Sequence, residues 1–354
     1  MNYSQETILL KPSELGYYMP PEWDLHYGTW LSYPHNTRSF FDKLEKVRES
    51  FLEFVKHLAR GEAVHINVNN EEMKKDLENR LAQKKITTNV SAHIFPTNDT
   101  WCRDHGAIFI KNKKTGNIAA TNWMFNAWGE KYPYELDNNI PNYMAEYLKI
   151  KQFRVGQILE GGSIDTNGEG ILLTTTACLL NKNRNPHLSK FEIENNLKEY
   201  LGIHKVLWLG DGVAGDDTDG HVDDIARFIN KNTIVTVIEN NKNDINYEAL
   251  KENYERLQHF TDMNGKKFSI IPLQMPDPVY HREERLPASY ANFYISNKTI
   301  IVPIFNCSND QLALDTLHKL FPDRAIVGID ASDLVVGLGT FHCLSQQIPY
   351  GIKL

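Results

Sequence analysis

The chain has 354 residues, 41% hydrophobic and 23% charged, the balance of an ordinary globular protein with length enough for a large core. A formal net charge of −7 argues against nucleic acid as a partner and suits a small cationic ligand. No apolar run reaches the roughly 18 residues of a membrane span, residues 1–20 lack the pattern of a signal peptide, and Cys102, Cys178, Cys307 and Cys343 are too far apart for a zinc knuckle or an obvious disulfide framework, so a reducing cytoplasm is the expected setting.

In chain order, residues 1–27 read as irregular, with Met19-Pro20-Pro21-Glu22-Trp23 stiffened by its prolines. A strand is predicted over 28–33. Leu44, Val47, Phe51, Phe54, Val55 and Leu58 then recur at helical spacing up to a stop at Gly61. Strand 63–68, helix 71–81 and strand 90–95 follow, then the polar loop 96–106. Strands 107–111 and 118–125 flank a turn at Lys114–Asn117; helix 141–147 leads to strands near 155–159 and 170–176. Ser189 and Glu192 predict a capping box for helix 190–201, ended by Gly202. Strand 205–209 precedes an acidic loop, 210–220. Strands 221–228 and 233–239, helix 247–263 and strands 268–274, 290–296 and 299–305 come next. Ser308 with Gln311 predicts a cap for helix 310–320, and residues 325–328 lead to a final strand-like run ending at Cys343. Five helices recur every ~55–90 residues between short strands, and no low-complexity linker divides the chain. That recurrence predicts stacked or circular repeats closed into one domain over 1–354.

Four stretches carry candidate chemistry. Gly337-Leu338-Gly339 before Cys343 predicts a turn that opens backbone space beside a thiol. His342 is its neighbour, but adjacent strand residues point to opposite faces, so the partner of Cys343 is expected elsewhere. Trp101-Cys102-Arg103-Asp104-His105-Gly106 and Glu160-Gly161-Gly162-Ser163 are polar strand-end loops. Residues 211–224 hold six carboxylates, and His221-Val222-Asp223 is expected to put two polar side chains on one face of a strand. A plain turn, a solvated acidic loop or a buried structural cysteine accounts for each stretch alone. Together, one exposed thiol, one histidine and three carboxylates suggest nucleophilic attack on a clamped guanidinium. No metal or other cofactor is implied. A metal set of His221, Asp223 and Asp104 lacks a second paired histidine.

Trp101-x-Arg103-Asp104-x-Gly106, Glu160-Gly161-Gly162-Ser163, Thr218-Asp219-Gly220-His221-Val222-Asp223 and His342-Cys343-x-x-Gln346-Gln347 resemble the agmatine deiminase and bacterial peptidylarginine deiminase branch of guanidine-modifying enzymes, from about Pro20 onward. The resemblance implies an α/β pentein propeller, five ββαβ units around a pseudo-fivefold axis. It implies Cys343 as nucleophile, His221 as general acid and base, Asp104 and Asp223 as guanidinium holders, Glu160 as a third carboxylate and Trp101 as a pocket wall. Gly339 is expected to give the substrate room beside the thiol. Agmatine is the expected substrate, with N-carbamoylputrescine and ammonia as products. Arginine or peptidylarginine deimination, and a guanidine- or polyamine-binding protein without catalysis, are the alternatives; a homo-oligomer is left open. The family commonly has Asn where this chain has Asp219, and Asn-Ile where it has Thr340-Phe341. Asp217, beside Asp216 and Asp219, is the expected contact for the substrate's terminal amine.

Overall fold

The structure, a computed structural model, describes residues 10–351. Helix Leu44–Leu58 shows how the periodicity becomes packing: it buries Val47, Phe51, Leu52, Phe54, Val55 and Leu58 on one side. Helix Lys190–Leu201 starts at a formed Ser189–Glu192 capping box and stops at Gly202, whose φ of 68° glycine tolerates without strain.

Among the described residues one arrangement recurs five times: two antiparallel strands, a helix, and a third strand parallel to the second. Ile108–Asn112 and Ile118–Met124 pair this way, followed by helix Ile140–Tyr147 and parallel strand Lys151–Ile158. Asp165–Thr166, Ile171–Thr175, helix Lys190–Leu201 and Lys205–Leu209 repeat it. So do Ala226–Asn230, Thr233–Ile238, helix Tyr247–His259 and Ser269–Gln274. Tyr294–Ile295, Thr299–Ile304, helix Asn309–Leu320 and Ala325–Asp330 form the fourth unit. The fifth joins the two ends of the chain: Ser345–Pro349 lies antiparallel to His26–Ser32, which continues through helix Leu44–Leu58 to Ala63–Val68. No helix among the described residues is long and apolar enough to cross a membrane.

A single turn of helix precedes the first strand of every unit: Cys102–His105, Gly161–Ser163, Val222–Asp224, Tyr290–Asn292 and Phe341–Leu344. Each turn packs on the next, and the last packs on the first, so the five form a ring.

These turns account for the main departures from the sequence reading. Residues 221–228 are not one strand. His221 leads into the turn Val222–Asp224, and the strand begins only at Ala226. The expected strand 290–296 is likewise a turn followed by two strand residues. Cys343 lies in the short helix Phe341–Leu344, not at the end of a strand, and the strand follows it. All three runs are rich in β-branched or apolar residues because they are buried, and burial gives the same composition whether the backbone turns or extends. Ser308 occupies the cap position of its helix, but its side chain makes no capping bond.

Candidate active site

Each turn of the ring delivers a side chain to one buried place. Asp104, Glu160, His221, Asp223 and Cys343 are 4%, 1%, 1%, 0% and 6% exposed. Gly162 marks where Asp104, His221 and Asp223 meet. A Cβ there would stand 2.6 Å from His221 Nδ1, 2.7 Å from Asp104 Oδ1 and 3.0 Å from Asp223 Oδ2. Its backbone N–H donates to Asp104 Oδ1 at 2.9 Å, and Trp128 Nε1 donates to Asp104 Oδ2 at 3.1 Å. His221 Nδ1 lies 3.6 Å from Asp104 Oδ1. Neither ring nitrogen of His221, nor Asp223 Oδ1, has a hydrogen-bond partner among the described residues. Buried polar atoms are nearly always paired, so unpaired ones gathered together are the signature of a site built for a ligand.

The thiol is enclosed, which corrects the expectation of an exposed one. Asn292 Nδ2 donates to Cys343 Sγ at 3.1 Å, and Asp223 Oδ2 is 3.8 Å from it. Asn292 comes from the fourth turn, a stretch that carries no charged residue and gave no motif. Its Oδ1 also accepts from Thr340 Oγ1 at 2.6 Å and from the His342 amide at 3.2 Å, pinning the cysteine turn in place.

His342 does point away from a partnership with Cys343, though from a helical turn rather than by strand alternation. It donates from Nδ1 to Asp223 Oδ2 at 2.6 Å and from Nε2 to Glu22 Oε2 at 2.8 Å. Gly337 and Gly339 serve closeness rather than unusual φ. The left-handed residue is Leu338, at φ 69°, while a Cβ on Gly339 would lie 2.7 Å from the Trp101 ring and 3.0 Å from Cys343 Cβ. Trp101 packs behind this turn, its ring tilted 49° against that of Phe40, and is 4% exposed.

Glu160 is held by Arg184 at 2.5 Å, and the same guanidinium reaches Asp219 Oδ2 at 2.7 Å. Asp219 occupies the left-handed region at φ 66°, which Asp tolerates nearly as well as Asn. Asp217 is engaged elsewhere: Tyr132 donates to it at 2.6 Å and Lys131 pairs with it at 3.1 Å. It is not brought into the buried group as a free anion. Glu160, Cys178 and His221 present ligand atoms within 4.8 Å of one another. The Arg184 guanidinium on Glu160 places a positive charge where a metal cation would sit, so these three make a poor metal centre.

The electrostatics follow from three carboxylates buried together. Burial pushes Asp104 up to about 6, opposed by His221 and reinforced by Asp223 and Glu160. Burial would lower His221, but Asp104, with Cys178 and Asp223, overrides it and holds the imidazole well above its usual range. Burial raises the Cys343 thiol well above its ordinary value, and Asp223, Asp224 and Asp104 raise it further. Burial would raise Asp223, but the bond and charge of His342, with the charges of His221 and Arg227, together hold it below the usual carboxylate range. The arrangement therefore favours a cation: one bound between Asp104 and Asp223 would give the unpaired Asp223 Oδ1 a partner and offset the acidic surround that opposes a thiolate.

Residues 18–349 match the family described as Porphyromonas-type peptidyl-arginine deiminase. A Legionella pneumophila (strain Philadelphia 1) protein named "Putative agmatine deiminase" is 39% identical over 347 residues, spanning 97% of this chain and 98% of that one. The solved agmatine deiminase of Enterococcus faecalis superposes with a TM-score of 0.90 at 31% identity, covering 97% of this chain and 98% of that chain. A cysteine-to-serine variant of the C. jejuni agmatine deiminase with substrate bound superposes at 0.86 with 37% identity, covering 95% and 97%.

Proposed function

We propose, from the premise that this chain belongs to the Porphyromonas-type peptidyl-arginine deiminase family, that it is an agmatine deiminase, a hydrolase of the C–N bond in a linear amidine. The observation that carries the chemistry is the meeting of Asp104, His221 and Asp223 at Gly162, with unpaired polar atoms facing inward. The reading extends to the architecture. Five ββαβ units set around a pseudo-fivefold axis in one domain, a pentein propeller, would close the ring in which the five turns already touch.

In this mechanism the guanidinium of agmatine binds between Asp104 and Asp223, with Glu160 adding negative potential. Its charge favours the Cys343 thiolate, whose proton leaves to solvent as the cation binds, while His221 enters the reaction already protonated. The sulfur attacks the guanidinium carbon, forming a C–S bond. The tetrahedral adduct collapses by breaking a C–N bond, and His221 gives the departing nitrogen its proton, so that ammonia leaves a thiouronium on Cys343. Water, deprotonated by His221, attacks the same carbon. The C–S bond then breaks and returns the electron pair to sulfur, the adduct's hydroxyl proton passes to that sulfur, and N-carbamoylputrescine leaves with the Cys343 thiol restored.

Agmatine is favoured over arginine by the state of the nearby arginines. A substrate carboxylate wants a free guanidinium. Arg103 and Arg227 are paired with Glu22, Arg184 with Glu160 and Asp219, and Arg285 with Asp244, while Arg282 stacks over the Phe41 ring at 4.6 Å. Ammonia release measured with agmatine, free arginine and a blocked arginine peptide tests the assignment. The expected result is a kcat/KM for agmatine at least ~10²-fold above that for arginine, about 2.7 kcal/mol of discrimination. Equal rates, or preference for the peptide, would move the chain to the arginine-deiminating alternative.

A further inference from the structure

Glu22 lies outside all five turns, yet it touches elements of four units. Its carboxylate is 4% exposed. It accepts from His342 Nε2 at 2.8 Å, from Arg103 Nη2 at 3.3 Å and from the backbone N–H of Ile295 at 2.8 Å, and it pairs with Arg227 Nη2 at 2.9 Å. Arg227 continues to Asp165 at 3.7 Å, in the one remaining unit. Arg103 continues to Gln347 Oε1 at 2.6 Å, in the strand after the cysteine.

We propose that Glu22 and His342 are positioning residues for the deiminase reaction, in which Glu22 holds the His342 ring so that it fixes and keeps ionised the guanidinium-binding carboxylate of Asp223. Both ring nitrogens of His342 face carboxylate oxygens, at 2.6 and 2.8 Å, and a carboxylate can only accept, so the ring donates from both. This ties down Asp223 Oδ2 and leaves Oδ1 as the oxygen free to meet substrate. It also puts a positive charge against a fully buried anion that would otherwise be driven toward its neutral form, as neighbouring Asp104 is. The charged or titratable groups facing Asp223 are His342, His221, Arg227, Asp224, Asp104 and the Cys343 thiol. Those facing Glu22 are Arg227, His342 and Arg103, with Asp165, Arg324, Tyr294 and His26 at the edge. Two arginines on Glu22 keep it ionised, so the line Arg103/Arg227–Glu22–His342–Asp223 alternates in sign up to the reacting centre.

The inference rests on the proposed deiminase reading, and its test separates the two. Glu22→Gln and His342→Gln keep size and polarity but remove a charge from the line. Each is compared with the unsubstituted enzyme by kcat/KM against pH, counting active molecules by covalent labelling of Cys343 with 2-chloroacetamidine. Turnover of agmatine by the unsubstituted enzyme tests the function; if another guanidine proves to be the substrate, the same ratios are taken on that compound. The expected result for a fully labelling variant is a loss of ~10²-fold in kcat/KM, with the acid limb that Asp104 sets near pH 6 steepened and moved upward as Asp223, without its cation, protonates alongside it. An unmoved acid limb in a fully labelling variant overturns the proposal. So does loss of the native circular dichroism signal in both variants, which would mean that the pair holds the fold and not the charge.

Discussion

Cys343 begins as a buried thiol under three carboxylates, which is the wrong environment for a nucleophile until a cation arrives. Reactivity then depends on substrate rather than on exposure, and burial does not by itself single out Cys343, since Cys102 and Cys178 are at least as buried. Cys343→Ala is expected to abolish turnover without unfolding the protein, and mass spectrometry after 2-chloroacetamidine treatment should find the label on Cys343 alone. Equal labelling of another cysteine would remove the covalent mechanism. Asp104 supplies a pH dependence with a definite sign. Its carboxyl is raised to about 6, so the anion that clamps the guanidinium is lost as pH falls through that value. In the free enzyme kcat/KM should therefore decline below about pH 6 and level off above it. Asp104→Asn leaves a buried cation short of a partner, a loss of ~3–5 kcal/mol, or ~10²–10³-fold or more in kcat/KM across the pH range. A flat profile between pH 5 and 8 in the unsubstituted enzyme would mean that Asp104 does not hold the substrate (range of ordinary histidine and carboxylate titration, roughly).

At the scale of elements, the working part is the single helical turn placed before each first strand. A turn of three or four residues aims its side chains at the ring's centre more sharply than a loop would, because its backbone is tied at both ends to packed structure. The Gly161–Ser163 turn shows the limit of this packing: the space a side chain would need at Gly162 is already filled by His221, Asp104 and Asp223. Gly162→Ala should lower kcat/KM by ~10²-fold or more by displacing groups that must be placed to within about an ångström. The melting temperature, read by circular dichroism on the same sample, separates that effect from unfolding. Near-normal activity in Gly162→Ala would show that the three groups do not converge there during turnover.

For the whole molecule, closure is made by the chain's own ends. The strand Ser345–Pro349, immediately after the cysteine turn, pairs with His26–Ser32 from near the start. Ile348 in that strand is fully buried and belongs to the same apolar cluster as Trp30, Phe109, Ile118 and Met144. Removing its side chain to Cβ should cost ~2–5 kcal/mol in denaturant melts, a large part of the ~5–15 kcal/mol that a folded protein has. Activity and folding should be lost at the same denaturant concentration, since the strand that closes the molecule also carries the nucleophile's turn. A loss below ~1 kcal/mol would mean that the ends contribute little to closure.

The sequence by itself determined the units and their repeat. Hydrophobic spacing located helices such as Leu44–Leu58 and Lys190–Leu201 to within a residue or two, caps and glycines included, because those signals are local. It also singled out Asp104, Glu160, His221, Asp223 and Cys343, whose residue types are out of place in apolar surroundings. Only the tertiary structure decided what these groups face. Asn292 sits in an uncharged turn and gains its meaning from Cys343, 51 positions later. Glu22 reads as one more residue of a proline-stiffened segment and becomes the buried anion beneath the site through His342, 320 positions away. Asp217, conspicuous in an acidic loop, is neutralised by Lys131 from a different unit. The physical reason is common to all three: local composition determines helix, strand and turn, while the partner that sets a side chain's charge and orientation is supplied by chain closure, which brings together groups that no local pattern relates.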